Sequence, residues 1–437
     1  MAPADQKERN IVIIGGGIIG CSTAYYLTRH PLYDPSKHSI TILEASQIAG
    51  GASGKAGGLL ALWAFPKCLV PLSFRLHAEL AKEHDGEERW GYREVNCGEL
   101  VAHGRPAPDS PAGRNPGRRA SASVSLGKRR GGSISGGDAG SSSSAAATAA
   151  AAASAARGGV LEALQAAGIP TDLDWFDATT LKRYEEMAAK GSTAQVHPFW
   201  FTTSMAILAQ ERGAKVILGS VTDISYPDDK VKSVTYKDNA TGTTKTIDAT
   251  DIIVSAGPWT RRIYPPAPIS ALRAHSVVIR PSRPISAYAL FTQIKLPADT
   301  STSGQASLVS PEIYARPDNS VYICGEGDTL VPLPDTTTKV EVDQSRCQGI
   351  IDAVASVSDD LRDGEVLIRQ ACYLPSVFPD GGPLLGKTGV GGLYLAAGHT
   401  CWGIQNAPAT GKLMSEFVFE GRAKSAQIAE LDPRKVM

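Results

Sequence analysis

Ile11–Ile14 is a short apolar run with polar residues before it and glycines after it. Such a run predicts a strand covered on both faces. A helix is predicted next, from about Ile18 to Thr28, and alternation over Ser39–Leu43 predicts a second strand ending at Glu44. Helical spacing covers Pro71–Lys82 and Phe199–Glu211. A strand at Ala214–Leu218 leads into a meander through Val231–Tyr236 and Lys245–Ile247, and Asp251–Gly257 is a further buried run. Between 272 and 330, short strands such as Ser320–Cys324 alternate with Pro and Gly, and Arg346–Val357 reads as helix. The chain closes with a strand at Gly392–Ala397, a loop, and a helix over about Pro408–Glu420 stopped by Gly421. Asn406 is the expected N-cap of that helix, and Pro408 falls in its first turn, where no N–H is needed. No internal repeat is present.

One stretch breaks the pattern. Residues 105–159 run through Arg, Pro, Gly and Ser into almost pure Ala, with eight basic and two acidic residues. It has too little apolar surface to offset the entropy of ordering, so a disordered low-complexity insertion is expected. It reads as a basic tether for a protein partner, a tolerated surface insertion, or mistranslated GC-rich DNA. The whole chain of 437 residues exceeds what one core usually holds, so two domains are expected. Lys plus Arg balances Asp plus Glu at 44 each, which gives no bulk attraction to nucleic acid or membrane. No apolar run of spanning length occurs. The polar start MAPADQKERN is unlike a secretory leader, and RKVM is not a peroxisomal address. Seven scattered cysteines lack any CxxC pair, so neither a disulfide framework nor a metal site is expected. The default location is cytoplasmic, with a peripheral place on endomembranes as the alternative.

The chemistry begins at IVIIGGGIIG. Gly15, Gly17 and Gly20 form G-x-G-x-x-G between a strand and a helix, the context in which that pattern binds a dinucleotide. Gly15 makes the turn, Gly17 lets a pyrophosphate approach the backbone, and Gly20 lets helix pack on strand. The helix N-terminus then offers free N–H groups to phosphate. Glu44 stands where a carboxylate accepts from ribose hydroxyls. The following EASQIAGGASGKAGGLL adds two glycine-rich turns. These suit the longer body of FAD rather than a nicotinamide dinucleotide, which is the competing reading.

Gly15–Gly20, Glu44, GASGKAGGLL, GAKVILGSVTDI, IIVSAGPWT, YARPDNSVYICGEGD and LYLAAGHTCWGIQNAPATGK occur together in one order. That order resembles the D-amino-acid oxidase superfamily of FAD-dependent oxidoreductases, which includes glycine and sarcosine oxidases, and most of all a fungal branch of it. The resemblance implies an α/β fold, a Rossmann-type FAD-binding domain interleaved with a mixed-sheet α+β substrate domain. The first would comprise 1–85, 196–260 and 371–437; the second 86–104, 160–195 and 261–370. It implies hydride transfer from a C–N bond of an amine or amino-acid derivative to flavin N5, with O2 as a candidate acceptor. The alternative is a catalytically weak flavoprotein that serves as an interaction or trafficking component.

The resemblance also distributes the cofactor contacts. Gly15, Gly17, Ile18, Ile19, Gly20, Glu44 and Ala45 would form the dinucleotide end. Ala52 and Ser53 would sit near the pyrophosphate, and Gly57, Gly58 and Leu59 beside the ring. Val221 would meet the adenine, followed by Ala256, Gly257 and Trp259. Gly398, His399, Thr400, Trp402, Gly403, Ile404 and Gln405 would line the ring's pyrimidine edge, where a helix N-terminus stabilises negative charge. Relatives that oxidise amino acids hold the carboxylate with Arg or Lys. Here Leu374, Gln405 and Leu59 occupy those places, which argues against a simple free amino acid. Arg316 is the candidate substitute, or a surface or structural arginine. Cys372 lies near the position of a flavin-linking cysteine, one residue out of register relative to Pro379–Asp380; non-covalent FAD is the default. Trp402, Gln405, Cys372 and Arg316 are the pocket candidates. Cys401 is expected to be a packed thiol, His399 to act through its backbone, and His197 to be structural.

Overall fold

A computed structural model describes residues 7–106, 159, 162, 164, 165, 168–298, 306–377 and 382–437. The low-complexity stretch and the Pro379–Asp380 pair lie almost wholly outside them. Arg105, at the near edge of that stretch, pairs with Asp177 and Asp359 at 2.6 and 2.5 Å.

The described residues form two large sheets. The first is built on β1 (Arg9–Ile14), with β2 (His38–Glu44) and β11 (Asp251–Val254) parallel on either side. Beyond β2 come β8 (Lys215–Ser225), β9 (Ser233–Asp238) and β10 (Thr244–Asp248). Beyond β11 come β19 (Leu393–Ala397) and β18 (Leu384–Lys387). Ile11, Val12 and Ile13 are at most 1% exposed, as a run with no polar face requires.

Helices cover the first sheet: α1 (Ile18–Leu27), the short α2 (Ala52–Lys55), α3 (Val70–Glu83), α4 (Pro198–Gln210) and, from late in the chain, α6 (Gly403–Glu420). Helix α1 is nearly all apolar because it lies buried among other helices, against α4 and α6. Gly411 makes the α1–α6 contact possible: a Cβ there would meet the Ser22 carbonyl at 2.6 Å.

The second sheet is mixed. Its path runs β17 (Glu365–Val377), β12 (Ile269–Arg280), β16 (Val321–Asp328), β15 (Glu312–Ala315), β13 (Tyr288–Leu296), β5 (Asn96–His103) and β6 (Leu181–Glu186), with β14 (Ser307–Val309) on β13. Helix α5 (Gln344–Ala355) packs on this sheet through Cys347, Ile350 and Val354. A small sheet of β3 (Leu59–Ala61), β7 (Thr193–Gln195) and β4 (Arg93–Glu94) stands apart from both. The fold is thus a Rossmann-type α/β layer joined to a mixed-sheet α+β layer. The boundary expected at 371 falls inside β17.

The last helix departs from expectation. It begins at Gly403, not near Pro408, and Asn406 is a buried helical residue rather than the N-cap. Proline has no N–H for the carbonyl four residues back. That carbonyl, on Ile404, instead accepts from His77 Nε2 at 3.0 Å. The next amide, of Ala409, donates to Ser73 Oγ at 3.1 Å. Both partners sit on α3, so tertiary contacts carry the helix through its proline. Among the described residues no helix is long and apolar enough to cross a membrane.

Candidate functional site

The turn after β1 is fixed by its glycines. Gly15 has φ +113°, and a Cβ there would lie 2.5 Å from Ser255 O. At Gly20 a Cβ would lie 2.0 Å from Gly15 O. Gly17 is the α1 N-cap, and among the described residues the only atom near its missing Cβ is Ser53 Oγ at 3.1 Å. The helix start has no acidic residue and no side-chain cap of its own; Ile18 N donates to Ser53 Oγ at 2.9 Å.

This turn forms one wall of a cavity of about 410 Å³. Gly15, Gly17, Ile18, Ile19, Glu44, Ala45, Ala52, Ser53, Val221, Ala256, Gly257, Trp259, Gly398, His399, Thr400, Gly403 and Ile404 all line it. Helix α6 also opens onto it, again with no side-chain cap and no acid in the first turn. Two helix N-termini therefore face one space, and both favour negative charge there. The Glu44 carboxylate stands at the edge, oriented by Gly16 N and Ser46 N at 2.8 Å each.

Gly20, Gly57, Gly58, Leu59, Trp402 and Gln405 are absent from the lining. Gly20 packs α1 on the strand. Gly57 makes room for the Tyr314 ring, which a Cβ would meet at 2.0 Å. Gly58, at φ +89°, abuts Val196 O. Gln405 is buried and its Oε1 accepts from Ala61 N at 2.7 Å, which ties α6 to β3; its Nε2 has no partner among the described residues. Trp402 packs edge-on against Trp63.

Arg316 is buried and does not line the cavity: its Nη2 donates to Ala56 O at 2.5 Å and its guanidinium lies over Tyr322. Cys372 does not line the cavity, although Leu374 and Pro375 of the same strand do. Burial pushes the Cys372 thiol up to about 11, against a smaller lowering by Lys55. Cys401 lines the cavity and is exposed, unlike the packed thiol expected. The buried His399 ring is held neutral, its pKa pushed down to about 3 by desolvation, and its Nε2 meets Thr410 Oγ1 at 3.0 Å. His197 caps α4 by accepting from Trp200 N.

Several lining residues carried no sequence signal. Asp335, Thr336 and Thr337 belong to a loop that crosses the cavity edge. Trp259 Nε1 and Arg262 Nη1 donate to Pro334 O at 2.6 and 3.1 Å, and Ser46 Oγ meets Thr337 Oγ1 at 2.5 Å. Gly219, Ser220 and Ser255 sit beside Val221 and Ala256 in stretches already singled out. No cluster suited to a metal ion occurs among the described residues.

A β1–turn–α1 cavity flanked by a second helix end defines a class, the flavin-type dinucleotide binders. The chain belongs to the FAD dependent oxidoreductase (DAO) family, whose model matches residues 10–417, and FAD is its cofactor. It is 39% identical to the candidate oxidoreductase TDA3 of Saccharomyces cerevisiae, over 98% of this chain and 95% of that one. A second candidate oxidoreductase, from Schizosaccharomyces pombe, is 31% identical over 98% of both. Glycine oxidase from Geobacillus kaustophilus shares the fold at TM-score 0.63 and 18% identity, covering 98% of this chain and 100% of that one. L-proline dehydrogenase from P. horikoshii does so at 0.62 and 16%, covering 98% of each.

Proposed function

We propose that this chain oxidises a C–N bond of an amine or amino-acid derivative, with FAD held in the cavity between the N-termini of α1 and α6. The carrying observation is that two helix ends, neither capped by its own N-cap side chain, open into one cavity with Glu44 at its edge. The residues present fit FAD. Gly15–Ile19 would hold the pyrophosphate, Glu44 the ribose, and Gly219–Val221 the adenine. Gly398–Ile404 would hold the ring. Solved structures of the same fold named glycine oxidase and L-proline dehydrogenase support the choice of substrate class.

Bound FAD supplies a two-electron acceptor for the hydride leaving the substrate carbon. The chain's own part is positioning and electrostatics. The first turn of α6 favours negative charge placed beside Gly403 and Ile404. His399, held neutral, adds no competing charge. The loop at Pro334–Thr337 covers one edge of the site. The placement of Cys372 outside the cavity lining supports non-covalent attachment: acid precipitation should leave the flavin in the supernatant, and flavin in the pellet would reverse that assignment.

The test is a panel of amines and amino acids given to the FAD-loaded protein, with peroxide release measured in air. Amine-dependent peroxide supports both the reaction and O2 as acceptor. Flavin that stays oxidised throughout, with no oxygen present, would favour the alternative of a flavoprotein with a binding role. The absence of a cation at Leu374 and Gln405 is what keeps that alternative in view.

A further inference from the structure

Glu312 opens β15 half-buried, and no cation pairs with it among the described residues. Tyr314 OH donates to its Oε2 at 2.5 Å, and Cys324 Sγ lies 3.7 Å from the same oxygen. Its Oε1 has no hydrogen-bond partner among those residues. Phe291 stands opposite Glu312 on the neighbouring strand, and ring contacts run on from it. Phe291 lies 6.1 Å from Tyr314, Trp63 lies 5.7 Å from Phe291, and Trp402 lies 5.5 Å from Trp63. Trp63, Phe291 and Trp402 are half-buried, so each keeps an open portion.

The patch adjoins the cavity. Trp402 ends the Thr400–Trp402 turn, whose other two residues line the cavity. The Glu312 charge is felt across this boundary: the Cys401 thiol is raised, first by desolvation and then by Glu312, although the residue as a whole is exposed. Burial and then Glu312 push the Cys97 thiol up to about 12 on the other side.

A carboxylate with no cation partner among the described residues, bonded to Tyr314 and opposite Phe291 in a patch of rings whose faces carry negative quadrupoles, attracts a cation and repels an anion. The same chain lacks a basic group at Leu374 and Gln405, where amino-acid-oxidising relatives are expected to carry one. Both facts select the same ligand. We propose that Glu312, Trp63, Phe291, Tyr314 and Trp402 form the substrate subsite for an alkylammonium group with no carboxylate beside it. This deepens, and rests on, the reading of the chain as an amine oxidoreductase.

Three probes separate the terms: choline, its neutral isostere dimethylbutanol, and glycine betaine, which adds a carboxylate. Binding to the FAD-loaded full chain is read by calorimetry and tryptophan fluorescence. Choline should bind about tenfold or more tighter than either other probe. Glu312→Gln should abolish that preference, and Trp63→Leu should weaken choline severalfold. Equal binding of choline and dimethylbutanol by the unaltered protein would overturn the subsite, whatever the variants' folding. So would a preference that survives Glu312→Gln. Anaerobic bleaching of the flavin by amines is scored separately. A Glu312-dependent preference for choline without any bleaching sustains the subsite and removes the oxidation reading. Bleaching without that preference does the reverse.

Discussion

The cavity beyond β1 and the aromatic patch on β15 meet at the Thr400–Trp402 turn, yet they are built in opposite ways. Much of the cavity is backbone: glycine turns, strand ends and two helix starts, set by Gly15, Gly20 and Gly411. The patch consists of side chains, brought from Trp63, Phe291, the Glu312–Tyr314 strand and Trp402. A backbone site cannot be altered without altering the fold, whereas a side-chain site can be retuned one residue at a time. The cofactor should therefore be the conserved part of the function in any variant series, and the substrate the adjustable part.

Breaking the backbone side should have the largest effect. Gly20→Val places atoms where Gly15 O and Ser255 Oγ already lie at 2.0 and 2.9 Å from a bare Cβ. A loss of about 4 kcal/mol or more is expected, with bound FAD lost alongside. Bound flavin per chain and Tm together check this, and a stable variant with full FAD would show that the turn tolerates movement.

Acid should come next. His399 and His77 are buried and held neutral by desolvation, with pKa values pushed down to about 3 and about 4. As pH falls through 6.5 the unfolded chain takes up these protons first. Their cost is therefore absent above that pH and grows as the pH approaches the folded values. Each should cost about 2 kcal/mol by pH 5, measured by denaturant unfolding. His399→Gln should flatten the slope; an unchanged slope would assign it to other groups.

His77→Ala should cost about 1–3 kcal/mol, because it leaves the Ile404 carbonyl unpaired beside the cavity. His77→Gln, which keeps a donor, should recover part of that loss and of FAD affinity. The smallest effect is expected on the side-chain site. Glu312→Gln should leave Tm and FAD affinity within about 0.5 kcal/mol of the starting protein. A large change in either would mean that patch and cavity are one structure and that the contrast fails.

The same contrast explains what could be read in the sequence. The strand–glycine–helix start and the dinucleotide assignment depend on local spacing, so Gly15 to Ile19 and Glu44 emerged where the cavity is. The start of α6 did not, because Pro408 argues locally for a helix beginning there. Only α3, more than three hundred residues away in sequence, supplies the His77 and Ser73 partners that move the start to Gly403. Gly57 and Gly58 looked like ligand-facing glycines, but their missing Cβ atoms answer to Tyr314 and Val196 across the fold. Glu312 drew no attention for the same reason. A lone carboxylate on a strand means little until the fold sets Phe291 opposite it and joins Trp63 and Trp402 to the same patch.

The central claim is that FAD in this cavity accepts hydride from an amine presented by the aromatic patch. The most direct measurement is an anaerobic titration of the FAD-loaded protein with N-methylated alkylamines and, in parallel, with glycine, followed by the visible flavin band. Bleaching by the alkylamines and not by glycine is the predicted result. A flavin band untouched by any amine, or bleached by glycine alone, would contradict the account.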